Sequence, residues 1–168
     1  RLSGVVEAKN QVEIYPEITA IIKAIHVHNG DKVDEGQPLV SLRDTEFKER
    51  LNQAQAAYQV AQAEVRQAEA KLNEINSELK RTRSLAEKDL TSEAELEAIE
   101  TRAILAEADV ELAKARVEQA LASVAEQKEA LSLTVVKAPV DGSVGNRNAE
   151  VGMTVGSNTR LFTLGRLD

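Results

Sequence analysis

The apolar residues of the chain follow two different spacings. Between Leu39 and Ala138 they recur every three or four positions, and on either side they occur in short runs separated by glycine and proline. The segment between these two positions contains neither glycine nor proline and is rich in Ala, Leu, Glu, Gln and Lys, which favour helix. A segment of about a hundred residues without a breaker is predicted to be helical almost throughout.

The helical segment carries two apolar stripes with alternating steps of four and three residues. The first comprises Phe47, Leu51, Ala54, Tyr58, Ala61, Val65, Ala68, Leu72, Ile75 and Leu79. The second comprises Leu96, Ile99, Ala103, Ala106, Val110, Ala113, Val117, Ala120 and Val124, followed by Gln127 as a polar break and then Leu131. A period of about 3.5 residues sustained over this length predicts a left-handed coiled coil.

One interruption divides the two stripes. It lies between Leu85 and Thr91, and Ser92 with Glu95 directly afterwards forms a capping-box pattern that starts a new helix. Asp44 or Thr45 is predicted to cap the first helix. A connection this short makes the helices antiparallel neighbours, each on the order of 60 Å long.

The two flanks are predicted to form strands and turns, and they repeat each other. Strands are predicted at 20–27, around Val33 and at 39–42. The second flank matches the first at a constant offset of 122: Ile22 with Val144, Gly30 with Gly152, Val33 with Val155, Leu39 with Leu161, Val40 with Phe162, Ser41 with Thr163, and Leu42 with Leu164. Neither half can bury its apolar face alone, so the halves are predicted to pair about a pseudo-twofold axis as a small β-sandwich.

The predicted fold is α+β, with a long antiparallel α-helical coiled-coil hairpin inserted between two halves of a small β-sandwich. The first half spans residues 1–43 and includes a leading strand of an adjoining domain. The hairpin spans 44–133, and the second half spans 134–168.

The amino-acid composition disfavours several classes of function. The 21 basic and 28 acidic side chains give a net charge of −7, which disfavours nucleic acid as a partner. Cysteine is absent, which excludes thiolate metal sites and thiol catalysis. No apolar run approaches the roughly 20 residues of a membrane span. The chain opens at Arg1 rather than Met, so we expect a fragment whose targeting segment has been removed.

The sequence contains no recognisable catalytic set, and we expect neither an enzyme nor a cofactor. Phosphate-binding loops, G-x-S-x-G and H-E-x-x-H are all missing from the sequence. His26 and His28 share a face of a predicted strand, but metal sites need three or four ligands and no third is evident. Surface residues are the favoured interpretation of both.

Two segments of the flanks resemble a known family. Ile18–Leu42, with Gly30-Asp31-Lys32-Val33 and Gly36-Gln37-Pro38-Leu39, resembles the first half of a biotinyl/lipoyl-like domain. The segment 136–145, Val-Lys-Ala-Pro-Val-Asp-Gly-Ser-Val-Gly, resembles the second half as it occurs in membrane fusion proteins, the periplasmic adaptors of the HlyD/acriflavine-efflux type. The order half, hairpin, half is highly specific for that family.

The resemblance also assigns a role to the interruption between the helices. Arg81, Leu85 and Ser92 form R-x3-L-x6-S, which matches the motif by which these adaptors dock onto a TolC-like outer-membrane channel. Simpler explanations exist for each residue taken singly. Ser92 serves as a helix N-cap, Arg81 pairs with Glu78 at i,i+3 or stays solvated, and Leu85 covers the end of the hairpin.

The family resemblance implies the remaining partners. An inner-membrane transporter of the RND class is expected, with self-association as a ring of six, in the periplasm of a Gram-negative bacterium and anchored to the inner membrane by a segment outside this chain. An adaptor for an ABC-type or type I secretion exporter is the alternative. A lipoyl or biotinyl carrier is disfavoured, because the hairpin replaces the turn that bears the modified lysine. Lys32 is predicted to occupy a Gly-Asp-Lys-Val turn, but that turn lies within one half. A free-standing coiled-coil scaffold is disfavoured by the repeated flanks.

Overall fold

The computed structural model describes residues 11–166 and divides the chain into two compact units. One unit contains the segments up to Glu49 and from Lys128 onward, and the other runs from Arg50 to Gln127. In the described residues the first unit carries eight strands: β1 Gln11–Ile14, β2 Ala20–Ile25, β3 Lys32–Val33, β4 Pro38–Leu42, β5 Val135–Lys137, β6 Gly142–Gly145, β7 Thr154–Val155 and β8 Phe162–Arg166.

These strands form two four-stranded sheets in which the two halves of the chain are interleaved. One sheet has the order β1-β8-β6-β3 and the other the order β5-β4-β2-β7, and all pairings are antiparallel. Each sheet therefore takes two strands from each half. Neither half has a sheet of its own, so the two halves have to fold together.

The internal repeat of the sequence is a symmetry of the strand pairing. Exchanging each strand with its repeat partner converts the order of one sheet into the order of the other. The registers agree as well, because Ile22 pairs with Leu42 and the corresponding Val144 pairs with Leu164. The predicted pseudo-twofold relation between the halves is thus present in the hydrogen-bonding pattern.

The core of the sandwich repeats with the same offset. Its buried apolar positions occur as pairs 122 residues apart: Ile14 and Val136, Pro16 and Ala138, Ile22 and Val144, Val27 and Ala149, Val33 and Val155, Leu39 and Leu161, Val40 and Phe162, and Leu42 and Leu164. Both halves contribute equally to one apolar interior. Burial of this shared interior is the main force that holds the sandwich together.

Equivalent turns fix the two halves to each other. Gly30 and Gly152 have φ of 93° and 91°, a region that favours glycine. The amide of Gly30 donates to the carbonyl of Val144 (2.7 Å), and the amide of Gly152 donates to that of Ile22 (2.9 Å). Each turn of one half thereby bonds to a strand of the other.

The hairpin is built from α1, Thr45–Glu87, and α2, Glu93–Ser132. All ten positions of the first predicted stripe and all those of the second are buried or half-buried, including the polar Gln127. Ion pairs join the two helices near their connection, Arg83 to Glu100 (3.4 Å) and Arg102 to Glu78 (3.5 Å). The predicted fold class, an antiparallel hairpin between two halves of a β-sandwich, is confirmed.

The structure corrects two details of the sequence prediction and decides between the two predicted caps of α1. Strand β2 ends at Ile25, so His26 and His28 follow the strand instead of lying on it. Lys32 begins β3 and pairs with Ser143, and it does not occupy the apex of a turn. Asp44, not Thr45, holds the N-cap position of α1, because its carbonyl accepts the amide of Lys48 (2.9 Å). The expected leading strand of an adjoining domain falls in residues 1–10, outside the described residues.

Candidate functional site

The connection between α1 and α2 is a defined turn that ends α1. The amide of Leu90 donates to the carbonyl of Leu85 (2.8 Å), and the amide of Asp89 donates to that of Ala86 (3.1 Å). This pair of bonds is a Schellman motif, and Asp89 occupies its left-handed position with φ of 56°. The turn satisfies carbonyls at the end of α1 and fixes the backbone that carries Leu85 and Leu90.

Arg81 and Leu85 are both exposed on α1. The ion-pair explanation for Arg81 is wrong, because Glu78 pairs with Arg102 instead, and within residues 11–166 Arg81 forms no ion pair. Leu85 keeps 43% of its surface exposed. Both side chains are therefore available to another molecule.

Ser92 caps α2, as the sequence predicts. Its Oγ accepts a hydrogen bond from the amide of Glu95 (3.1 Å), and its carbonyl accepts one from the amide of Leu96 (3.2 Å). The reciprocal half of the capping box is replaced, because the Glu95 carboxylate accepts a hydrogen bond from the Thr91 hydroxyl. Ser92 is exposed as well, so the cap leaves its outer side open to solvent.

Two lysines share the surface of Arg81 and Leu85. Lys80, Arg81, Ser84, Leu85 and Lys88 line a shallow depression of about 390 Å³, which we call the tip face. Their spacing places them on one side of α1. A feature that the sequence analysis missed lies one turn further on: Leu90 is 67% exposed, more than Leu85.

A second stripe on each helix, uncharged and mostly apolar, faces away from the coiled-coil seam. On α2 it comprises Thr101, Leu105, Ala108, Leu112, Ala115, Gln119 and Ala122, and on α1 it comprises Ala56, Val60, Ala63, Gln67 and Ala70. All of these residues are exposed and none is charged; Val60, Leu105 and Leu112 are 60%, 59% and 51% exposed. We call these the outer stripes. The signal was available in the sequence, as a second run of four-three steps offset from the seam.

Each of the two histidines lies near one polar side chain. His26 Nε2 lies 2.7 Å from the hydroxyl of Ser41, and His28 Nδ1 lies 3.8 Å from a carboxylate oxygen of Asp31. Among residues 11–166, no three metal-ligating side chains are grouped so as to hold an ion. Both histidine side chains are exposed.

The sandwich unit carries a shallow depression of about 380 Å³ beside Tyr15. The Tyr15 hydroxyl donates to a carboxylate oxygen of Glu13 (2.9 Å), and this hydrogen bond raises the pKa of Tyr15 above its usual value. The phenol therefore stays protonated at neutral pH and is a poor general base. No helix in the described part of the chain combines the length and the apolar content needed to cross a membrane.

The sequence of this chain is similar to a known family and to individual proteins. Residues 10–166 match the family described as CzcB-like, barrel-sandwich hybrid domain. The macrolide export protein MacA of Yersinia pestis is 27% identical over 153 residues, covering 91% of this chain and 41% of MacA. The multidrug resistance protein MdtA of Proteus mirabilis is 28% identical over 167 residues, covering 98% of this chain and 37% of MdtA.

A solved structure shares the fold. The crystal structure of MacA from Actinobacillus actinomycetemcomitans superimposes with a TM-score of 0.82 at 23% identity, covering 95% of this chain and 53% of that one. The chain spans about two fifths of the length of the two curated relatives.

Proposed function

The chain belongs to the family of membrane fusion proteins, or adaptors, that carry a CzcB-like barrel-sandwich hybrid domain, and from this we propose that it is the hairpin and sandwich portion of a periplasmic adaptor in a tripartite efflux pump. The adaptor links an inner-membrane transporter to a TolC-like outer-membrane channel. It is anchored to the inner membrane of a Gram-negative bacterium, and it acts by binding and assembly without catalysing a reaction.

The observation that carries the proposal is the surface at the end of the hairpin. Arg81 is without an ion pair in residues 11–166, Leu85 is half-exposed, and Ser92 lies just across the turn. A guanidinium donates in a planar fork to carbonyls or carboxylates, and an exposed leucine fills an apolar socket. These three residues, in the spacing of the family's docking motif, would contact the helical ends of the channel.

Self-association supplies the rest of the proposed assembly. The outer stripes of α1 and α2 are free of charge and rich in alanine, so helices of neighbouring copies can approach closely along them. We assign the α2 stripe of one copy to the α1 stripe of the next, which places the hairpins side by side. The ring of six follows from the family resemblance.

The transporter class is proposed as RND, and an ABC-type or type I secretion exporter is the second candidate. The MacA relative is named for macrolide export and the MdtA relative for multidrug resistance. Purification of the full-length protein with its transporter distinguishes the two, because an ABC exporter hydrolyses ATP and an RND transporter does not. A carrier role predicts a covalent mass increase on Lys32, which mass spectrometry of the protein from cells measures.

Docking is tested by site-specific crosslinking in cells from the hairpin end of the full-length protein. Arg81→Asp and Leu85→Ser are expected to abolish both the crosslink to the outer-membrane channel and export. Leu121→Ser is the matched control for Leu85→Ser, because Leu121 on α2 is 44% exposed and Leu85 is 43% exposed. Arg66→Asp reverses an exposed charge on the same helix as Arg81.

The helical circular dichroism signal should be the same in all four variants. Crosslinks and export that persist in Arg81→Asp and Leu85→Ser would mean that these residues only complete the hairpin. The docking proposal would then be wrong.

A further inference from the structure

The tip face contains more positive charge than the three-residue docking motif uses. Lys80, Arg81 and Lys88 surround Leu85, and within residues 11–166 none of the three forms an ion pair. Nearby cations on the same hairpin behave differently, because Arg83 and Arg102 each pair with a glutamate of the other helix. Among the described cations near the connection between the helices, those without an ion pair therefore lie on one side of α1.

This arrangement opposes the charge of the whole chain. The net charge is −7, yet the lining of the tip face is entirely cationic or uncharged. Glu87 and Asp89 flank Lys88 in the chain, but neither is bonded to Lys80, Arg81 or Lys88 within the described residues. Three like charges on neighbouring turns repel one another, and a partner of opposite charge relieves that repulsion.

An apolar pair accompanies the cations. Leu85 and Leu90 are the two ends of the hydrogen bond that closes the Schellman turn, and they are 43% and 67% exposed. In such turns the equivalent residues often pack on each other. The large exposure of Leu90 leaves most of its surface for contact with a second molecule.

We propose that the tip face binds an acidic protein surface, in which carboxylates surround an apolar socket that receives Leu85 and Leu90, and that Lys80 and Lys88 determine its specificity. This inference rests on the proposed docking function and adds that complementary charge selects the docking partner. Complementary charge accelerates encounter and rejects cationic surfaces.

An anionic membrane fits this face less well. Lipid-binding basic segments carry about four to eight Lys or Arg, and interfacial helices have a broad apolar side. The tip face has three cations and one leucine, and Leu90 in the turn adds a second exposed leucine. A protein surface of comparable size matches it better.

The test uses the full-length protein with a photocrosslinker in place of Ser84, which lies on the tip face. The captured outer-membrane protein is identified, the crosslinked peptide is mapped, and binding of the two purified proteins is measured from about 50 to about 500 mM salt. Variants are Lys80→Gln with Lys88→Gln, and Leu90→Ser. The control pair Lys48→Gln with Lys128→Gln removes the same charge from exposed positions elsewhere on α1 and α2.

We expect the crosslink to map to a segment bearing Asp or Glu. The Lys80/Lys88 variant should bind roughly three- to tenfold more weakly at low salt and respond less to salt than wild type, since each exposed charge contributes modestly. Leu90→Ser should weaken binding by a similar factor at all salt concentrations, and the control pair should bind like wild type.

Binding and salt response of the Lys80/Lys88 variant equal to wild type would overturn the inference while leaving docking intact. A crosslinked segment without carboxylates would also overturn the inference. The same holds for salt-dependent binding to phosphatidylcholine vesicles containing about a third phosphatidylglycerol, if the Lys80/Lys88 variant loses that binding. Absence of any outer-membrane crosslink from the wild-type protein would overturn the docking function itself, and this inference with it.

Discussion

Asp89 holds the turn of the hairpin in a conformation that most residues avoid. Its φ of 56° lies in the left-handed region, where the Cβ of an L-residue approaches the following carbonyl oxygen. Asp and Asn tolerate this region better than other residues, but glycine adopts it without that steric penalty. The sequence showed that the helical pattern is interrupted here, yet a lysine, an aspartate and a leucine gave no indication of which residue would take the left-handed position.

Replacing Asp89 by glycine should stabilise the hairpin turn. We expect Asp89→Gly to raise the free energy of unfolding by about 0.5–1 kcal/mol, since it relieves the strain of a non-glycine residue at positive φ. Urea unfolding followed by circular dichroism measures the change. Asp89→Asn serves as the control and should change stability little, because asparagine also tolerates this conformation. A glycine variant less stable than wild type would contradict the assignment of the turn.

At the level of the element, β6 and β8 pair so closely that one strand position admits no side chain. A Cβ placed on Gly142 would lie 2.6 Å from the carbonyl oxygen of Gly165, which is backbone and cannot rotate away. At Gly145, three residues along the same strand, the nearest atom would be the Thr163 hydroxyl oxygen at an ordinary 3.6 Å. A side chain at Gly142 would therefore clash with the neighbouring strand, whereas Gly145 has room for one.

Gly142→Ala is expected to destabilise the sandwich by about 1–3 kcal/mol, because the added methyl group must push β6 and β8 apart. Gly145→Ala should change stability by less than about 0.5 kcal/mol, since it meets only normal contact. Thermal or urea unfolding of the two variants compares them directly. Equal stability of both would show that β6 and β8 can separate without cost.

Packing at the coiled-coil seam does not explain why the outer stripes lack charged residues. Leu105→Glu with Leu112→Glu introduces two charges into the α2 stripe without touching the buried seam. We expect this variant to lose side-by-side association, to keep its helical content, and to have a free energy of unfolding within about 0.5 kcal/mol of wild type. Analytical ultracentrifugation of the full-length protein measures the oligomer. Ile104→Glu, a 65% exposed neighbour outside the stripe, is the control that should keep it.

For the whole molecule, the sandwich core is complete without the hairpin. Its buried residues all lie in the segments before Glu49 and after Lys128, and β4 and β5 are antiparallel neighbours in which Ser41 pairs with Val135. The amide of Leu42 donates to the carbonyl of Thr134 (2.7 Å), so the chain leaves and re-enters the sandwich at adjacent points. A short loop can therefore replace the entire insertion.

A protein in which an Asn-Gly turn replaces residues 44–133 should fold as the sandwich alone, because such turns join antiparallel strands. Dispersed amide signals in a nuclear magnetic resonance spectrum and a cooperative thermal transition would report folding. Residues 1–43 by themselves should remain unfolded, since each sheet needs strands from both halves. A shortened protein without a cooperative transition would show that the sandwich depends on the hairpin.

Much of this architecture was determined by the sequence itself. The four-three spacing identified every seam position from Phe47 to Leu79, and the offset of 122 paired Ile22 with Val144 as equivalent buried residues. Burial dictates both patterns, because a residue that must be apolar at a fixed helical or strand period leaves that period in the sequence.

Only the tertiary structure decided which partners those buried faces meet. The repeat could not reveal that the halves exchange strands between the sheets. Nor could the sequence reveal that Glu78 pairs with Arg102, which leaves Arg81 without an ion pair in the described part of the chain, or that Glu95 bonds to Thr91 within the capping box. The physical reason is that periodicity records whether a side chain is buried, whereas strand order and ion pairing depend on which of several chemically similar neighbours comes closest in space.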